Sequence, residues 1–380
     1  VEVVVTDPNR KIIVDGVEFR EILHFPRIFR SVLSALQPPR LVIALFMILL
    51  LVSLGRLWDG VTGDRCNAFP TLTTVASGGF STTVQGVYSL SPTRMLSGMR
   101  TLVVDLPMGM WSEHKIFTIV FGLLFVLITA VGGAAIARMT AVHTATHRRL
   151  SVRDAMRFSF TRWVRMVLAP LIPFIAATII GLIVVVMGVL MLVPVLNIIG
   201  GMLYIIALLL GLLFVFLLLV YVLAFVMVVP ALAVEDCDGA DAQQRAYGYV
   251  LSKPLHMVSY IVLGVIGLAL GFFVVSTFAT AVLHVTPALY STFQGENPSP
   301  AFAVTQGVSV FGTPTVTAED VEAKWHHATA GWFINLWQIL IISIVWAYVV
   351  SYFFSASTTI YLLMRRACDG QDIEEIWEAS

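Results

Sequence analysis

Charge is what this sequence has least of. Only 12% of its 380 residues are Asp, Glu, Lys or Arg, about half the share of a soluble globular domain, while 58% are hydrophobic. The runs 116–136, 166–192 and 198–230 contain no charged side chain at all. Runs of that length cannot be left in water, and they exclude a soluble enzyme or a disordered chain in favour of a polytopic membrane protein. The 23 basic and 23 acidic residues balance, so no net field draws the chain to nucleic acid. Cysteine is almost missing too. Cys66, Cys237 and Cys368 are too few and too scattered for a disulfide framework, and no intrachain bridge is expected.

Chemistry-bearing patterns are also lacking. There is no phosphate-binding glycine loop, no nucleophile elbow and no pair of carboxylates at catalytic spacing. Spans two to six hold no Asp, Glu, Lys or Arg in their central portions, where an ion-coupled transporter would bind its coupling ion. The opening VEVVVTDPNRK has neither a positively charged start nor a small-residue cleavage site, so no signal peptide is expected and the first apolar span reads as a retained anchor.

What is present is a set of apolar spans. They read as 40–58, 116–136, 166–192, 198–230, 257–285 and 331–364, with Pro170 and Pro173 bending the start of the third. Spans four and six exceed the thickness of a hydrocarbon core of about 30 Å, so each must tilt, kink or protrude, the fourth near Gly200 and Gly201. Residues 1–24 alternate around Asp7, Pro8, Asn9, Asp15 and Gly16, which suggests a small β-hairpin before a membrane domain over 25–364 and a tail over 365–380. A connection over 59–115 reads as polar and glycine-rich, with one short helix begun by Ser91 and Pro92. A second, over 286–330, carries a helix start at Thr317, Glu319 and Asp320.

Seventeen of the 23 lysines and arginines fall before span one, between two and three, between four and five, or after six. The positive-inside rule then puts both termini in the cytoplasm and the chain in the cytoplasmic (inner) membrane, with the two long connections outside. The densest basic segment follows span two and holds Arg148, Arg149, Arg153, Arg157, Arg162 and Arg165. At 100° per residue, 151–166 places Val152, Met156, Ser159, Phe160 and Trp163 on one side and Arg153, Asp154, Arg157, Arg162 and Arg165 on the other, the pattern of a helix on a membrane surface. Ser151 and Asp154 supply its start signal. Phe25 to Gln37 reads as a second surface helix, ended by Pro38 and Pro39. Three uses fit the arginines: fixing topology, holding anionic headgroups, or docking a partner.

Asp154 and Ala155 before Arg162 to Met166 are matched by Asp241 and Ala242 before Lys253 to Met257. Each copy is a surface helix followed by an outgoing and a returning span, and 25–37 before spans one and two reads as a third. Duplication accounts for this, as does the general tendency of loop helices entering a membrane to end in basic and aromatic residues. Pro230, Glu235, Gly239 and Ala242, then Lys253 and Pro254, with Tyr361, Arg365, Asp369 and Gly370 after the last span, resemble a loose superfamily of bacterial polytopic proteins. Some of its members form the membrane domain attached to glycerophosphodiester phosphodiesterases. The resemblance implies a membrane module over about 148–370 and no chemistry, because nothing in this chain forms the repeated βα units of a catalytic barrel.

Few side chains remain as site candidates. His114, His284, His326 and His327 fall at the outer ends of spans two, five and six, where they are either solvated or, if brought together, ligands for zinc, copper or iron. Gly264, Gly267 and Gly271 share a face of span five suited to close helix packing. Tyr204, Asn335, Gln338, Ser355, Ser357, Thr358 and Thr359 are polar and uncharged, which fits interhelical hydrogen bonding better than a substrate path. The expected protein is all-α, six-span, non-catalytic and without a cofactor. Its expected role is that of a scaffold or accessory subunit touching membrane lipids and other membrane subunits, the alternative being a permease, channel or lipid-handling protein.

Overall fold

The computed structural model describes residues 26–62, 67–190, 192, 196–291 and 325–373, and every regular element among them is a helix. In chain order these are α1 (Pro26–Ala35), α2 (Pro38–Thr62), α3 (Ala68–Tyr88), α4 (Pro92–Arg100), α5 (Leu106–Glu113) and α6 (Lys115–Thr146). There follow α7 (Val152–Thr161), α8 (Trp163–Leu190), α9 (Leu196–Glu235), α10 (Gly239–Ser252), α11 (Pro254–Ser291) and α12 (Trp325–Asp369). Six of them, α2, α6, α8, α9, α11 and α12, are long and apolar enough to cross a membrane, and the protein is an all-α multi-pass membrane protein. The N-terminal hairpin expected over 1–24 and the helix start at Thr317 lie outside the described residues.

Three times a short helix leads into a span with almost no break. Leu36 and Gln37 separate α1 from the α2 start at Pro38, Arg162 separates α7 from α8, and Lys253 separates α10 from α11. The outgoing spans α2, α8 and α11 begin at the arginine-rich end of the bundle, and the returning spans α6, α9 and α12 finish there. Ser151 caps α7, accepting from the Asp154 amide at 3.1 Å while its hydroxyl donates to the Asp154 carboxylate at 2.6 Å.

The core lies toward this end. The run Ala130 to Ala137 of α6 is almost wholly buried, its small side chains letting α2, α9 and α12 close around it. Gly132 faces Met47 of α2 and Gly133 faces Phe354 of α12, with no room for a methyl group at either. Burial is uneven across the spans. Half of the most apolar stretch of α12 is buried (50%), against 11% in α8. The second half of α9 belongs to the core, but over 178–189 and 197–219 only Gly200 is buried, so the outer half of the α8–α9 hairpin stands largely clear of the other helices.

Four features differ from the sequence reading. Span two does not stop at Ile136: α6 continues to Thr146, carrying Arg138 into the core rather than leaving it at the interface. Span four has no break at Gly200 and Gly201, because α9 runs unbroken over 40 residues and through Pro230. The helix over 25–37 is no surface helix: α1 is wedged against α11 and α12, with Ile28, Ser31 and Ala35 buried. Its Ser31 hydroxyl lies 3.0 Å from that of Thr359, and Ser351 donates to the Ala35 carbonyl at 2.9 Å.

The fourth difference is the 59–115 connection, which is helical through α3, α4, a π-helical turn (Thr101–Asp105) and α5. Its threonines, serines and glycines are poor helix formers, and packing overrides that preference. Gly86 meets the backbone of Met95 and Gly98 the backbone of Thr83, so α3 and α4 touch almost main chain to main chain. Phe80 of α3 meets Phe272 edge to face and Trp346 at a tilt, with ring centroids 5.0 and 5.1 Å apart, and ties this layer to α11 and α12.

Candidate functional site

The returning spans end in charge, and the structure gathers that charge into one network. Glu235, the last residue of α9, accepts from Arg365 Nη1 at 2.7 Å and from the Tyr361 hydroxyl at 3.2 Å, both on α12. Arg245 of α10 approaches its other oxygen at 3.7 Å. Arg365 is buried, and its second nitrogen donates to the Asp372 carbonyl at 3.0 Å, so one guanidinium joins α9 to the end of α12. Asp236 follows in a left-handed conformation (φ 51°), which turns its carboxylate back to take two bonds from Arg162, that from Nη2 measuring 2.7 Å. Arg165 pairs with Asp238 at 3.1 Å.

Two aromatic rings extend the network. Phe158 of α7 lies under both Arg162 and Arg138, with guanidinium carbons 4.4 and 5.1 Å from its centroid. Arg138 donates to the Ala233 carbonyl of α9 at 3.0 Å. Tyr249 of α10 donates to Asp369 at the end of α12, and its phenol is pushed above the ordinary range by burial first and by that carboxylate second. Arg40 is also buried. It donates to the Ser34 carbonyl at 2.9 Å, capping α1, and to the Met139 carbonyl of α6 at 3.4 Å.

The three units share one device. In each, a basic residue beside the junction of short helix and span reaches the closing turns of the returning span of its own hairpin or the residue just past it. Arg40 reaches Met139 of α6, Arg162 reaches Asp236 just beyond α9, and Lys253 reaches the Ala367 carbonyl of α12. Lys253 and Tyr249 also border a polar pocket of about 640 Å³ with Asp241, Arg245, Ser252 and Asp369. The half-buried Cys237, between α9 and α10, is a free thiol that burial pushes up to about 11, and Cys368 is free as well.

Arg148, Arg149, Arg153 and Arg157 stay exposed and make no ion pair with a described residue, whereas Arg162 and Arg165 are engaged as above. Gly264, Gly267 and Gly271 face α12: the Gly264 carbonyl accepts from Tyr352 at 2.8 Å, and the hydroxyls of Tyr352 and Tyr348 occupy the space a methyl group would need at Gly267 and Gly271. Among the described residues no three His, Cys, Asp or Glu side chains come together as a metal site. His114 ends α5 and precedes α6, His284 lies on α11 and His326 on α12, and the side chain of His327 lies outside the description. Ser355 and Thr359 are buried and bonded to Thr140 and Ser31, while Tyr204 is exposed. Sequence reasoning missed Arg40 and Arg138 as interior groups, and the only signal for them was the helical pattern continuing past each.

Comparison of the chain with protein-family models, with curated proteins and with solved structures finds no match.

Proposed function

We propose that this protein is a non-catalytic scaffold or accessory subunit of a larger membrane assembly, sited in the cytoplasmic membrane with both termini in the cytoplasm. The observation that carries the reading is where its interior charges go. Arg40, Arg138, Arg162, Glu235 and Arg365 all bond to the ends of neighbouring helices, which fixes the bundle. Groups committed in this way are poorly suited to picking up and releasing a coupling ion. Ser355, the residue that a polar path beside Asn335 and Gln338 would use, is buried against Thr140.

The uncovered outer half of the α8–α9 hairpin supports the same reading, since it offers an apolar face on which a neighbouring membrane subunit can pack. Orientation rests on the bias of lysine and arginine toward one end. The residues that resemble the membrane domain of glycerophosphodiester phosphodiesterases include Glu235, Lys253, Tyr361, Arg365 and Asp369, all members of the ionic network, and the likeness supports a structural module.

Native purification in mild detergent followed by mass spectrometry tests the proposal. Stoichiometric co-purifying membrane subunits are the expected result. A protein that purifies alone and moves solute or lipid across reconstituted vesicles overturns it.

A further inference from the structure

A groove runs between α2 and α6 and opens sideways. Val42, Phe46 and Leu50 line it from α2, and Leu127, Ile128 and Val131 from α6. At the arginine-rich end Met156 and Phe160 of α7, with Trp163, complete the wall. The groove has a volume of about 690 Å³, within the range of about 300–1,000 Å³ typical of ligand sites. Both flanking helices are spans, and 42–50 rises about 12 Å along α2. The slot therefore lies among the lipid chains and runs inward from the interface. Val42, Phe46, Phe160 and Trp163 are all exposed, so nothing among the described residues covers it.

Charge at its mouth narrows the choice of occupant. Arg153 and Arg157 each follow a groove-lining residue of α7, Val152 and Met156, and so stand one step round the helix from the apolar stripe. Both are exposed and form no ion pair with a described residue. The acid on the same helix, Asp154, is held by the Ser151 hydroxyl at 2.6 Å. An apolar slot with two unpaired guanidiniums at its interfacial end matches a molecule with a hydrocarbon tail and a phosphate head.

We propose that the α2–α6 groove holds one acyl chain of an anionic glycerophospholipid from the surrounding bilayer, with the lipid phosphate at Arg153 and Arg157. The contact is a defined site on the protein, separate from any general attraction of the basic face to the membrane.

The test uses the full chain reconstituted into bilayers of equal phosphatidylglycerol and phosphatidylcholine, extracted gently and examined by native mass spectrometry. Wild-type protein retains phosphatidylglycerol in preference. Arg153→Gln with Arg157→Gln lowers that preference about fivefold per arginine, which corresponds to about 1 kcal/mol for each basic residue near an anionic headgroup. Arg153→Lys with Arg157→Lys keeps it. Leu127→Trp fills the slot and removes the retained lipid of either headgroup; should that variant fail to fold, the surface arginine pair still decides. A photoreactive p-benzoylphenylalanine in place of Phe46 labels the lipid chain. Retention without headgroup preference, an unchanged preference in the glutamine pair, or a Phe46 crosslink to a second polypeptide overturns the proposal.

Discussion

Arg365 Nη1 of α12 lies 2.7 Å from Glu235 Oε1 at the end of α9, and both side chains are largely enclosed, at 3% and 17% exposure. Removing one partner leaves the other charge enclosed without its nearest counter-charge. Glu235→Gln or Arg365→Met alone should therefore cost about 3–5 kcal/mol, whereas the two together, which remove both charges, should cost much less than the sum of the single changes. Denaturant unfolding of the four proteins in detergent measures the coupling. Additive single effects would mean the pair does not hold α9 to α12.

The glycine face of α11 gives a graded test. A methyl group at Gly264 meets only Ile360, at an ordinary 3.6 Å, while one at Gly271 strikes the Tyr348 hydroxyl. Gly264→Ala should be close to neutral, and Gly271→Ala should destabilise by about 1–3 kcal/mol. The Tyr348 hydroxyl is buried and has no hydrogen-bond partner among the described residues, so Tyr348→Phe should be stabilising by itself; it should rescue Gly271→Ala only in part, because the ring carbon that bore the hydroxyl would still lie 2.8 Å from the new methyl group. Melting temperatures of the three variants and the double change check the order.

Cys237 should resist alkylation. Its thiol is pushed up to about 11, chiefly by burial, so below pH 9 it holds about a hundredfold less thiolate than an unperturbed cysteine. In a Cys66→Ser, Cys368→Ser background, labelling by iodoacetamide should be slow at pH 8 and speed up steeply as pH rises toward 11. Labelling at the rate of a free peptide thiol at pH 8 would contradict the buried position.

α3 ends in a Schellman-type cap with a leucine where glycine is usual. Ser91 donates its amide to the Gly86 carbonyl at 2.9 Å, and Leu90 between them is left-handed (φ 51°) and 89% exposed. Leu90 loses no buried contact on substitution. Leu90→Gly should stabilise by about 1 kcal/mol, since the left-handed conformation costs an L side chain about 1–2 kcal/mol. Leu90→Val, β-branched at the same φ, should be destabilising. Thermal unfolding of the pair measures both.

The spans were legible because a charge-free run such as 198–230 has one stable environment, and α7 because its apolar residues recur at helical spacing ahead of Ser151 and Asp154. Arg138 and Arg40 were not. A basic residue at the edge of an apolar run reads as an interfacial anchor, and only the helices packed around it, α9 in one case and α1 with α6 in the other, show that it is enclosed. Nor can spacing reveal that Glu235 meets Arg365, 130 residues away. The α3–α4 layer was hidden for the opposite reason. Its composition argues against helix, and the close backbone approach at Gly86 and Gly98 that overrides composition exists only once the two strips of chain are side by side.

The reach of Arg40, Arg162 and Lys253 bears on how such a chain is built. Each latch spans a single hairpin, across 99 residues from Arg40 to Met139, 74 from Arg162 to Asp236 and 114 from Lys253 to Ala367. None waits for the next hairpin to be synthesised. As the chain emerges, each pair of spans can therefore be fastened at its base before the next pair enters the lipid, and the bundle grows from parts that are already closed.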